Sequence, residues 1–241
     1  MGAHSVGYGL TRARARRLST FELPRCLHSW RADQMVTSGT QVLELRDRKG
    51  TCHLLPPASP RPTITTINTR PGFNIQGGAY LKGDVAAGED LSSGSMFVVG
   101  RFLNTTAVYE VLVACGLASL VDSEITLVTF GTLTSLFHRR ENSTGIGDTN
   151  GGGVRNEVHG VLATWNTARA RIIVDAVETG SSAVASTADP IRRYVIGVAA
   201  NLSTLPVVNA SFAELQFAKG EMSQPEIEAT FGYYQAWYGG L

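Results

Sequence analysis

The chain has 241 residues, enough for one large all-β domain or two small domains, and a hydrophobic fraction of 43% can supply a real core. The formal net charge of +1 gives no general attraction to nucleic acid, so a nucleic-acid partner is not expected. The longest apolar run, residues 108–121, contains Glu110 and is shorter than the ~20 residues that a bilayer-spanning helix needs, so no membrane partner is expected either.

The first 20 residues differ in composition from the rest of the chain. Four arginines stand there among Gly, Ala, Ser and Thr, with no acidic residue: Arg12, Arg14, Arg16 and Arg17. This pattern favours a basic N-terminal arm over residues 1–20 that docks on an acidic partner surface, with a solvated tail and an organelle presequence as alternatives. No apolar segment follows the basic residues, so a secretion signal is not expected. Residues 21–241 are predicted to form one folded domain.

Short strands dominate the prediction for this domain. Its 26 glycines and many β-branched residues are typical of short strands joined by tight turns. The predicted strands include residues 41–45, 63–67, 95–102, 107–115, 125–130, 133–137, 154–158, 161–165, 171–177 and 194–199. Residues 141–153 and 180–189 are rich in glycine, serine and other small or polar residues and are predicted to be surface loops. Roughly 12 strands at this spacing indicate a two-sheet sandwich.

The C-terminal stretch carries the strongest local signals. Residues 212–217 alternate in polarity, which predicts a half-buried strand. After the turn at Lys219-Gly220, Ser223 and Glu226 have the spacing of a capping box, which predicts the start of a helix. Apolar residues then recur at helical spacing, and the pair Gly239-Gly240 ends the helix. Such a helix needs a hydrophobic surface to lie on, and the predicted strands must supply it.

Several short motifs, in this order along the chain, resemble the concanavalin A-like lectin/glucanase superfamily in its laminin-G-like or pentraxin-like form. The matching stretches are Leu23-Pro24 with the segment LHSWRAD at 27–33, the turn at 47–50, RPT at 61–63, FNIQGGAYL at 73–81, SFAELQFAKGEMSQ at 211–224, and the ending YGGL at 238–241. The resemblance covers about residues 21–241. Two residues depart from the pattern: Asn74 stands where an apolar residue or Asp is usual, and Ser211 stands where Gly is usual.

This resemblance implies the fold class: all-β, a two-sheet antiparallel jelly-roll sandwich with a short C-terminal α-helix and an extended N-terminal arm. It does not imply an activity, because one fold hosts many functions. With a short arm in front of a single domain, the chain resembles modules of phage virion proteins, namely capsid decorations, head fibres and tail parts.

The sequence offers no convincing reaction centre. The glucanases of this superfamily carry Glu-x-Asp-x-x-Glu on one strand, and this run is missing here; the nearest candidate, Asp122 with Glu124, fits a solvated turn better. Asp148 to Gly151 lacks the later ligands of a calcium loop. Cys26, Cys52 and Cys115 have no metal-like spacing and are predicted to be free thiols. No metal, no cofactor and no enzymatic activity are therefore expected.

Two functions of different classes remain. The main prediction is a non-enzymatic virion structural protein on a capsid or tail surface, whose partners are other virion proteins, such as capsid or fibre subunits, and copies of itself. The alternative is a lectin-like, carbohydrate-binding adhesion module for host surface glycans, with glycoside hydrolysis at Asp122 and Glu124 as a weaker reading. Candidate glycan-binding residues are Asn104, Tyr109, Asn142, Asp148, Asn150 and Trp165. Trp30, Tyr233, Tyr234 and Trp237 are predicted to lie in the core or at the seam between helix and sheet.

Overall fold

The computed structural model of this protein describes residues 21–50, 52–103, 109–117, 124–130, 134–141, 144–150, 157–183, 190–198, 202 and 209–239. Within these residues the chain is mostly β-strand, with one helix near its C-terminal end. The strands are β1 (Cys26–Ser38), β2 (Gln41–Asp47), β3 (Thr63–Ile67), β4 (Arg70–Ile75), β5 (Leu81–Glu89), β6 (Gly94–Phe102), β7 (Tyr109–Gly116), β8 (Glu124–Phe130), β9 (Thr134–Glu141), β10 (Thr144–Asn150), β11 (Val158–Trp165), β12 (Arg169–Val174), β13 (Val177–Ala183), β14 (Ile191–Ile196) and β15 (Ala210–Lys219), followed by helix α1 (Gln224–Tyr238).

The strands form two antiparallel sheets that share a core. A nine-stranded sheet has the order β1-β2-β3-β4-β15-β6-β11-β12-β13, and a six-stranded sheet has the order β10-β9-β8-β7-β14-β5. One buried cluster takes side chains from both sheets, for example Trp30 and Phe73 from the first and Leu112 and Tyr194 from the second. Burial of these large side chains between the sheets is the main stabilising contribution to the fold.

Part of the nine-stranded sheet closes on itself, because β1 pairs with both β2 and β15. Strand β1 pairs with β15 up to Arg31 opposite Glu214, and it pairs with β2 at Trp30 opposite Asp47 and again from Met35 onward. The register of the β1–β2 pairing shifts between Trp30 and Met35. Strands β1, β2, β3, β4 and β15 therefore form a closed ring, a feature that an open two-layer sandwich does not have.

Helix α1 covers the outer face of the nine-stranded sheet, as the sequence predicts. Ile227, Phe231, Tyr234 and Tyr238 are all buried in a second hydrophobic cluster with residues of β6, β11, β12 and β15. The capping box is present, with the backbone N–H of Ser223 donating to Glu226 Oε2 at 2.8 Å. The ring of Tyr234 packs closely on Gly160 of β11: an added Cβ there would lie 3.1 Å from its ring atoms, so the ring would have to shift by a few tenths of an ångström.

Two predicted loops are wrong in part. Within residues 141–153, Thr144–Asn150 forms β10 and pairs with β9, and within residues 180–189, the first four residues belong to β13, which pairs with β12. Small and polar residues suggested loops, but backbone pairing needs only a free neighbouring edge, and an outer strand need not bury its side chains. Most residues of β13 are indeed exposed or half-buried. The predicted free thiols are confirmed for Cys26, Cys52 and Cys115.

Two glycines at α1 should respond to alanine in opposite directions. Gly232 is exposed within the helix and has open space where a Cβ would lie, so Gly232→Ala should raise the free energy of unfolding by about 0.5–1 kcal/mol. Gly239 caps the helix at a φ of 65°, a left-handed conformation, so Gly239→Ala should lower the free energy of unfolding by about 1 kcal/mol. Denaturant titrations of both variants check this, and a shared sign would contradict the described helix end.

Candidate functional site

Most of the residues predicted to bind a partner or a glycan lie outside the part of the chain that the structure describes. Arg12, Arg14, Arg16, Arg17, Asn104 and Asn142 lie outside the described residues. Tyr109, Asp148 and Asn150 lie on β7 and β10, and their side chains are outside the described part of the structure, as is that of Glu124 on β8; Asp122 is outside it altogether. The prediction that Trp165 binds a glycan is wrong. Trp165 is fully buried, and its indole N–H donates to the carbonyl of Leu91 at 2.7 Å. A ring enclosed by the core cannot stack on a sugar.

A pocket of about 130 Å³ opens instead where two strands share one edge of β15. Strand β4 pairs with β15 as far as Phe212, and β1 takes over at Glu214. Ala213, between them, is the extra residue of a β-bulge, because Phe212 and Glu214 lie opposite the adjacent residues Gly100 and Val99 of β6. The end of α1 supplies Trp237 and Tyr238 as one wall of the pocket. The pocket is thus formed by three features: the bulge in β15, the separation of β1 from β4 along its edge, and the C-terminal end of α1.

The floor of the pocket is a buried ionic network centred on Glu214. This side chain is 1% exposed and accepts hydrogen bonds from the hydroxyls of Tyr233 at 2.5 Å and Tyr238 at 2.8 Å. Gln216 Nε2 donates to its other oxygen at 2.5 Å, and Arg31 Nε lies 4.0 Å from Glu214 Oε2. Burial raises the pKa of Glu214, although Arg31 and these donors oppose that rise. The network ties α1 to β1 and β15.

Arg31 connects this floor to the rim. Its side chain is 3% exposed, and its Nη2 lies 3.1 Å from Oδ2 of Asp33, whose side chain is 36% exposed. The Cζ atom of Arg31 also lies 4.9 Å from the centre of the Trp237 ring. Two carboxylates and an indole therefore fix Arg31, and its positive charge is largely matched before any ligand arrives.

Arg70 forms the opposite side of the pocket. Its Cζ lies 3.9 Å from the centre of the Trp237 ring, and its Nε donates to the carbonyl of Trp237 at 3.1 Å. Among the residues that the structure describes, no carboxylate forms an ion pair with Arg70. The cation–π contact and the Nε bond hold the plane of the guanidinium while its two terminal nitrogens are not used by those contacts. The pocket thus presents fixed donors beside the Asp33 acceptor.

A second buried cluster joins the two sheets. His28 donates from Nδ1 to Asp47 Oδ2 at 2.8 Å and from Nε2 to Glu89 Oε2 at 3.1 Å, and the Tyr194 hydroxyl also donates to Glu89. Burial alone would lower the pKa of His28, but the hydrogen bonds to Asp47 and Glu89 outweigh it and raise the pKa to about 9. In the described part of the chain no group of His, Cys, Asp or Glu side chains is arranged to hold a metal ion. The cluster acts as an ionic cross-link within the core.

Sequence reasoning missed the arginines of the pocket but placed its aromatic wall correctly. Trp30, Tyr233 and Tyr234 are buried, and Trp237 is half-buried at the seam between helix and sheet, as predicted. No signal in the sequence indicated that Arg31 is buried, because the surrounding stretch LHSWRADQ is largely polar and strand alternation puts Arg31 on the face opposite Trp30. Arg70 gave no signal either, because it stands next to Pro71 in what looks like an ordinary turn.

No protein-family model and no curated protein matches the sequence. Solved structures do match in fold, and those described next are binding domains of botulinum neurotoxins. The binding domain of botulinum neurotoxin serotype D has a TM-score of 0.66 and 11% identity, over 86% of this chain and 51% of that chain. The receptor-binding domain of botulinum neurotoxin type G has a TM-score of 0.65 and 11% identity, over 88% and 52%.

A third structure is the serotype D ligand-binding domain in complex with N-acetylneuraminic acid, with a TM-score of 0.64 and 12% identity over 86% of this chain and 50% of that chain. Identities this low show a shared fold alone. The chain spans about half the length of these domains, so a ligand of theirs can lie in the half that it does not match. No helix in the described residues is long and apolar enough to cross a membrane.

Proposed function

We propose that this chain is a non-catalytic carbohydrate-binding module whose binding site is the pocket between β1, β4 and the end of α1. The observation that carries the proposal is the pocket itself, where Trp237, Arg70 and Asp33 meet at an opening over the buried ionic network of Glu214. Sugar recognition needs this combination of an aromatic side chain with fixed donors and acceptors. The similarity to toxin receptor-binding domains, one of them solved with a sugar, supports it.

We also propose that the two sheets are the layers of a jelly-roll sandwich of the concanavalin A-like type. The antiparallel pairing, the shared core and the covering helix support this description. The closed ring at β1 and β15 is a local modification of such a sandwich, in which β1 pairs with β15 along one edge and with β2 along the other.

The virion role predicted from the sequence gains no support from the similar structures. Its docking arm, residues 1–20, lies outside the described residues, and the expected location on a capsid or tail surface rests on the same arm. Both stay predictions. A glycan-binding module is compatible with either a virion or another carrier, so the two ideas are tested separately.

A glycan array tests the proposed function. The full chain should bind a restricted set of glycans, and Trp237→Leu should abolish most of the signal because it removes the wall against which Arg70 is held. Leu55→Ala is the matched control, since Leu55 is an exposed apolar side chain, 51% accessible, that does not line the pocket. Melting temperatures of both variants establish that they fold. Absence of binding to any glycan by the unmodified chain would remove the proposal.

A further inference from the structure

We infer that the pocket selects sugars that carry a carboxylate group, and that Arg70 binds this carboxylate. The inference rests on the proposed function and adds the chemical class of the ligand. Its starting point is the difference between two arginines that line the same pocket. Arg31 is buried and faces Glu214 and Asp33, whereas Arg70 is half-buried and forms no ion pair with a carboxylate of the described residues.

The geometry of Arg70 fits a planar, singly charged anion. Contact with the Trp237 ring and the bond from Nε to the Trp237 carbonyl fix the guanidinium plane before binding. A fixed guanidinium offers two parallel N–H donors at a spacing that matches the two oxygens of a carboxylate. Since the side chain is already ordered, little conformational entropy is lost when the ligand binds.

The charges around the pocket favour one negative charge over two. Arg31 and Arg70 contribute two positive charges, Asp33 at the rim contributes one negative charge, and Glu214 lies beneath Arg31. A phosphate dianion would meet Asp33 as well as Arg70, and like-charge proximity is unfavourable. A carboxylate matches the single guanidinium that has no ion pair with a described carboxylate, and the hydroxyls of the attached ring can donate to Asp33.

The size of the pocket indicates how much of the ligand enters. A volume of about 130 Å³ holds a few small groups rather than a disaccharide. The carboxylate and the adjoining ring atoms would lie inside, and the remainder of the glycan would lie outside. The pocket therefore suits a terminal acidic sugar, either a sialic acid or a uronic acid, and these two sources share the chemistry recognised here.

Calorimetric titration of the full chain tests the inference with matched probes. The methyl glycoside of N-acetylneuraminic acid and methyl glucuronide represent the two acidic sugars, and the methyl ester of each removes the charge while keeping the ring. We expect at least one acid to bind about tenfold more tightly than its own ester, and which one binds identifies the source. Equal binding of acids and esters would overturn the inference.

Two variants locate the interaction. Arg70→Gln should reduce affinity for the acidic sugar about tenfold or more, and Arg70→Lys should recover only part of it, because lysine keeps the charge but loses the paired donors. Arg192→Gln is the control, an exposed arginine on β14 that does not line the pocket. Unchanged binding by Arg70→Gln would also overturn the inference.

The two proposals fail in different ways. If the array shows glycan binding but the acids and esters are bound equally, or Arg70→Gln has no effect, the carbohydrate-binding function stands and the carboxylate inference falls. If no glycan binds at all, the function itself falls. Should Arg70→Gln fail to fold, the comparison of acid with ester on the unmodified chain remains decisive.

Discussion

Glu214→Ala should lower the free energy of unfolding by about 3–5 kcal/mol, among the largest effects of any single substitution in the described residues. The change removes the acceptor of two buried hydroxyls, on Tyr233 and Tyr238. It also removes the carboxylate that lies beneath the positive charge of Arg31. Burial raises the pKa of both tyrosines, so their hydroxyls stay protonated and cannot replace the missing negative charge. Chemical denaturation followed by circular dichroism gives the value.

Companion variants separate charge from packing. Glu214→Gln keeps an acceptor and should cost less, about 1–3 kcal/mol. Replacing both charges together, as Arg31→Met with Glu214→Leu, should recover only the part of the loss that comes from the unmatched Arg31 charge, because the hydroxyls of Tyr233 and Tyr238 still lack their acceptor. Glu228→Ala, on the exposed side of the helix, is the control and should change stability by less than about 0.5 kcal/mol. A loss below about 1 kcal/mol for Glu214→Ala would show that the network does not hold the helix.

Stability should fall as pH rises from 6.5 to 9, and the His28 cluster should be the cause. The pKa of His28 is about 9 in the folded protein, against an ordinary value of 6.5 that applies to the unfolded chain. Its contribution to the free energy of unfolding is therefore complete below pH 6.5 and is lost as pH rises through 9. Each unit of difference corresponds to about 1.4 kcal/mol, which makes the contribution on the order of 3 kcal/mol. The pKa values of Asp47 and Glu89 are lowered, so their contributions are present at neutral pH and are lost in acid.

His28→Gln is the variant that tests this assignment. Glutamine can still hydrogen-bond but does not titrate, so the free energy of unfolding should become nearly flat between pH 6.5 and 8.5. Burial raises the pKa values of Cys26 and Cys52 from 9 to about 12, so the unfolded chain loses these protons first and stability falls above pH 9 for this separate reason. Measurements therefore stop at pH 8.5. An unchanged slope in His28→Gln would contradict the role of the cluster.

Local signals explain which parts of the fold were predictable from the sequence. The last strand and helix were predicted because alternation, capping box and terminal glycine all lie within about 30 consecutive residues. Strands β10 and β13 were mistaken for loops because their residues are small or polar, and their pairing depends on edges formed by distant segments. Trp165 was assigned to the surface because strand alternation fixes two faces without saying which one is buried.

The pocket could not be predicted because its parts come together only through tertiary structure. Arg31, Arg70, Ala213 and Trp237 lie on four elements spread over about 200 residues of sequence. Their meeting depends on a bulge in β15 and on β1 and β4 sharing one edge of that strand, and single-sequence patterns specify neither. The buried partner of Arg31 is likewise defined only by the register of β1 against β15.

The location of the ligand is tested most directly by nuclear magnetic resonance of the tryptophan indole N–H groups during titration with the acidic sugar. Trp30 and Trp165 are fully buried with their indoles bonded to backbone carbonyls, whereas Trp237 is half-buried in the pocket wall. The proposed site predicts that the Trp237 resonance, assigned with Trp237→Phe, moves with saturation while the other two stay in place. Saturable binding that leaves the Trp237 resonance unmoved would contradict it.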